Sequence, residues 1–85
     1  MNITYTIARY EMLPNNFLVA FNINSENGDS VYTESYLALE EIKNKTSQEI
    51  CQLAYEKIKD TVDEIKLKFE KNAVSIVGYQ FIPSE

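Results

Sequence analysis

The run Phe17-Leu18-Val19-Ala20-Phe21-Asn22-Ile23-Asn24, followed at once by Ser25-Glu26-Asn27-Gly28-Asp29, constrains the fold more than any other stretch of the chain. Phe17, Val19, Phe21 and Ile23 alternate with smaller or polar residues, so a β-strand puts four large apolar groups on one side. Asn27-Gly28 supplies the positive φ that a tight β-turn needs. With Gly28 as a bulge after a type I turn, Ser25 faces Asp29 and the pairing of the next strand follows: Ile23 with Val31, Phe21 with Thr33, Val19 with Ser35, Phe17 with Leu37. The other side then pairs Asn22 with Tyr32, Ala20 with Glu34 and Leu18 with Tyr36. A two-residue turn would slide Glu34 beside Phe21, and burying a carboxylate there disfavours it.

Upstream, Ile3-Thr4-Tyr5-Thr6-Ile7 alternates as a strand, but the apolar positions change parity to Tyr10 and Met12. Either a bulge sits near Ala8 and Arg9, or the second half is apolar on its other face. Leu13-Pro14-Asn15-Asn16 reads as the turn into the second strand.

Thr46-Ser47-Gln48-Glu49 has capping-box spacing. Beyond it Ile50, Leu53, Ala54, Ile58, Val62, Ile65 and Phe69 recur at steps of three and four, which predicts one long amphipathic helix from Ser47 to about Lys71, roughly 37 Å long. Residues 74–82, apolar at both parities, read as a last strand. The expected fold is α+β, a single domain over 1–85: a three-stranded antiparallel meander, one helix across one face, and a C-terminal strand in the order βββαβ. The last strand is expected beside strand 1, giving a four-stranded mixed sheet in the order 3-2-1-4, with placement beside strand 3 as the alternative.

The 85 residues have 45% hydrophobic and 25% charged side chains and only two Gly and two Pro, which suits a globular chain of long regular elements. Thirteen acidic residues against eight basic ones leave a net charge of −5 without any Lys or Arg stripe, which argues against direct nucleic-acid binding. The same field is weak for a mimic of DNA. No apolar run is long enough for a signal peptide or a membrane span, and a lone Cys51 forms no internal disulfide, so a cytoplasmic location is expected.

Catalytic parts are scarce. The chain has no His, which removes the commonest general base and nucleophile partner, and two glycines build no phosphate-binding loop. Cys51 has no partner thiol or adjacent cation and reads as a small core filler. Glu40, Glu41, Asp60, Asp63 and Glu64 lack metal-ligand spacing and read as a loop and a solvated helix face. We therefore expect no enzyme, no cofactor, no metal and no small-molecule substrate. The feature that stands out is the sheet side away from the helix. Leu18, Tyr32, Glu34 and Tyr36 lie there, and Tyr10 with Met12 join them if strand 1 keeps its parity. Tyrosines beside Leu and Met have the composition of a protein interface, although cross-strand tyrosines are also simply good sheet formers.

Ile3-Thr4-Tyr5-Thr6-Ile7, Asn27-Gly28-Asp29 and the stretch from Glu40 to Ile50 resemble small proteins of unknown function encoded by tailed phages and prophages. The resemblance implies a viral or mobile-element product that acts by binding, as a virion component or an inhibitor, and it carries no site residues with it. The expected function is a non-enzymatic interaction module that binds itself as a homodimer, or a protein partner, through the open sheet face or a sheet edge. The alternative is a small acidic inhibitor that presents Glu34, Glu40 and Glu41 to a basic cleft of a host or defence nucleic-acid enzyme.

Overall fold

The hairpin forms in the bulged register. β2 (Asn16–Ser25) and β3 (Ser30–Ala38) pair antiparallel with Ile23 opposite Val31, Val19 opposite Ser35 and Leu18 opposite Tyr36. Gly28 sits at φ +92°, and its N–H donates to the Ser25 carbonyl. The Ser25 hydroxyl accepts the amides of Asn27 and Asp29, so the turn satisfies its own backbone groups. A side chain at Gly28 would meet no neighbour, so the left-handed backbone alone demands glycine there.

β1 (Ile3–Met12) pairs antiparallel with β2, and the sheet order is β1-β2-β3. The computed structural model describes residues 2–72, 78 and 80–84. Between Ile7, opposite Phe21, and Arg9, opposite Ala20, the register shifts at Ala8. Of the two explanations for the parity change, the chain therefore adopts the bulge. The extra residue returns Tyr10 and Met12 to the side that holds Ile3, Tyr5 and Ile7.

The predicted single helix is two. α1 (Ser47–Lys57) starts at the capping box, with the Thr46 hydroxyl accepting the Glu49 amide and the Glu49 carboxylate accepting the Thr46 amide. Ile58 leaves the helix at φ −109°, ψ 19°, and α2 (Lys59–Asn72) follows. The cause of the break lies in the sheet. The Ile58 N–H donates to Tyr55 O at 3.2 Å, a tighter spacing than an α-helix uses, while the Ala54 carbonyl accepts the buried Ser35 hydroxyl at 2.8 Å. A side chain that inserts into the backbone ladder bends a helix, and here the bend lets both halves follow a twisted sheet. Ala54 from α1 and Val62, Ile65 and Phe69 from α2 share one core with Val19, Phe21, Ile23 and Leu37.

A 3-10 turn (Leu39–Ile42) links β3 to α1, with Asn44 in the left-handed region and Glu41 paired to Lys57 at 3.1 Å. The expected fourth strand is not part of the described sheet. Residues 74–77 and 79 lie outside the described residues, and Gly78 and residues 80–84 belong to no strand or helix. The described architecture is thus α+β, a three-stranded antiparallel meander with two helices on one face.

Candidate functional site

A helix about 10 Å across covers about two strands spaced roughly 4.8 Å apart, not three. α1 packs against β3, and no β1 residue reaches the fully buried core. β1 is consequently exposed from Thr4 to Met12. Because of the bulge, its apolar side chains all lie on the helix side, where Ile7, Tyr10 and Met12 are 40%, 75% and 62% exposed. Tyr10 stacks on Phe17 at 6.1 Å, and the ring of Tyr5 meets Tyr55 of α1 edge-on at 5.4 Å.

Between this row and the helices runs an open groove. At one end, Ile7, Tyr10, Phe17, Val19, Ile50 and Cys51 enclose about 390 Å³. A second hollow, which shares Ile7 and Cys51 with the first, is lined by Tyr5, Tyr55, Gln48 and Gln52, and a third, which shares Tyr5 with the second, lies between Ile3, Lys66 and Glu70. Cys51, half-buried, lines the middle of the groove. The lining is mainly apolar at the Tyr10 end, takes in Gln48 and Gln52 in the middle, and is charged at the Ile3 end.

The opposite side of the sheet has a different character. Glu34 accepts the hydroxyls of Tyr32 at 2.7 Å and Tyr36 at 2.8 Å on β3, and on β1 Arg9 pairs with Glu11 two residues along the same strand. These bonds, Tyr32 first and Tyr36 second, hold the Glu34 carboxyl below the ordinary carboxylate range. The same bond from Glu34 pushes both phenols up. The expected surface therefore divides. Tyr32, Glu34 and Tyr36 come together and stay accessible, with both tyrosines about half exposed. Leu18 is 3% exposed, because it lies on the central strand between Glu11 and Tyr36 and longer neighbours close over it; it is not available for contact. Tyr10 and Met12 are on the other face altogether.

Of the β1 row, Tyr10 and Met12 are among the expected contact residues but on the opposite face, and the exposure of Tyr5 and Ile7 beside them follows from a helix layer too narrow for three strands. The parity change at Ala8 was the signal that could have found the row, since only the bulge gathers five apolar residues of one strand on one side. Among the described residues, no three His, Cys, Asp or Glu side chains converge as metal ligands, and no helix is long and apolar enough to cross a membrane. No protein-family model matches the chain, and no curated protein or solved structure is detectably similar to it.

Proposed function

We propose that this chain is a non-enzymatic protein-interaction module whose binding surface is the helix-side groove along β1 and the outer edge of that strand, which no strand among the described residues pairs. The observation that carries this is the row Ile7, Tyr10 and Met12, exposed beside an apolar hollow on an edge strand. Apolar rows of this kind mark association sites, and an unpaired strand edge offers backbone hydrogen bonds as well. A ligand for the groove is an apolar segment of a protein, because the lining supplies shape and hydrocarbon rather than converging polar groups. A phage or mobile-element source, implied by the sequence resemblance, is part of this proposal.

One substitution on each side of the sheet tests this. Tyr10→Glu places a charge on the groove, and Tyr36→Glu places one on the far side; both positions are exposed, so the fold tolerates either. Light scattering reports self-association, and a pull-down with the three proteins reports any other partner. The expected result is loss of association in Tyr10→Glu and retention in Tyr36→Glu. Association that survives Tyr10→Glu overturns the assignment.

A further inference from the structure

The groove has a natural occupant in the chain itself. Outside the sheet and helices, Phe81 and Ile82 are adjacent apolar side chains that stand 66% and 87% exposed. Among the described residues, neither Phe81 nor Ile82 lines the groove between β1 and α1 of its own copy. We infer that two copies form a closed dimer in which the Phe81-Ile82 segment of each lies in the β1 groove of the other. This rests on the assignment of the groove as a binding surface and names what fills it.

Area decides between one such contact and two. An aromatic side chain buries about 150–250 Å² when fully covered. Scaled by their exposures, Tyr5, Ile7, Tyr10 and Met12 together with Phe81 and Ile82 offer roughly 700 Å² at one junction. A single junction falls short of the roughly 1,200–2,000 Å² of a stable specific interface, whereas two reciprocal junctions give roughly 1,400 Å². Reciprocity also closes the assembly, because each copy then uses both its segment and its groove and leaves neither free to recruit a third. The contact is apolar on both sides, so its strength changes little with salt even though each copy carries −5.

The test uses two full-length variants that leave the core untouched, Ile82→Asp and Tyr10→Asp, with native mass by light scattering over a range of concentrations. Wild type is expected at twice the 9.8 kDa chain mass. Each variant alone is expected to be monomeric, with its dissociation constant raised at least about tenfold by a charge placed in an apolar contact. An equimolar mixture is expected to associate more than either variant alone but far more weakly than wild type, since the intact segment of the Tyr10→Asp copy fits the intact groove of the Ile82→Asp copy at one junction only. A wild-type monomer throughout overturns the exchange, as does a dimer that survives Ile82→Asp. Loss of the dimer in Tyr10→Asp alone overturns the exchange but leaves the groove as a binding surface. A dimer that survives both substitutions overturns the exchange and counts against the groove as well.

Discussion

Replacing Ser35 by alanine tests why the helical segment breaks where it does. Ser35 is 1% exposed and its hydroxyl donates to the Ala54 carbonyl at 2.8 Å, across the layer between β3 and α1. Ala54 is itself fully buried, and the Ile58 N–H that an unbroken helix would give this carbonyl is bonded to Tyr55 instead. Ser35→Ala therefore removes a hydrogen bond from a buried carbonyl, at a cost of about 1–3 kcal/mol. For a domain of this size each kcal/mol lowers Tm by roughly 4–8 °C. The control is Ser30→Ala. That hydroxyl also makes a short bond, 2.7 Å to Asn24 Oδ1, but in an exposed setting where water replaces it, so the expected change stays within about 0.5 kcal/mol. Urea unfolding followed by circular dichroism compares the two. Equal, small effects would show that the Ala54 carbonyl does not depend on Ser35, and the break at Ile58 would then need another cause.

Other consequences are equally open to measurement. Leu18→Ala should destabilise by about 2–4 kcal/mol in denaturant melts while leaving association unchanged, since Leu18 is buried and not part of a contact surface. Thr46→Ala should cost about 1 kcal/mol and shorten the protected part of α1 in hydrogen exchange, because it removes the acceptor for the Glu49 amide. Glu34→Gln should flatten the pH dependence of Tm at both ends. The folded carboxyl of Glu34 titrates below its unfolded range, so its contribution is present above that range and is lost as pH falls through the folded value. Tyr32 and Tyr36 titrate above the ordinary phenol range, so their contribution is present below it and is lost as pH rises through the folded values.

The parts of the fold that were legible from sequence are the ones set by neighbours in the chain. Asn27-Gly28 and the alternation of Phe17, Val19, Phe21 and Ile23 determine the β2–β3 register locally, and the Thr46–Glu49 box sets the start of α1. The break at Ile58 was not legible, because it depends on a hydroxyl nineteen residues away in the sheet. The side taken by Tyr10 and Met12 was ambiguous for a related reason. Alternation defines a face only up to a bulge, and which face is covered depends on where the helices land. Leu18 illustrates the same limit: its alternation placed it on the outer face correctly, but burial there comes from the side chains of two neighbouring strands. Tyr32, Glu34 and Tyr36 share a face by alternation along β3 alone, and the register foretold by the hairpin signal sets that face away from the helices.

Cys51 is placed to report on whether the groove beside β1 is covered. It is the one cysteine of the chain and lines the groove between Ile7 and Ile50. The rate at which a thiol reagent modifies Cys51, followed in wild type and Tyr10→Glu across protein concentration, measures directly whether the groove becomes covered. In wild type the rate should fall as native mass doubles, and in Tyr10→Glu it should stay at its dilute value. A rate that does not change while the mass doubles would place the interface elsewhere and contradict the account.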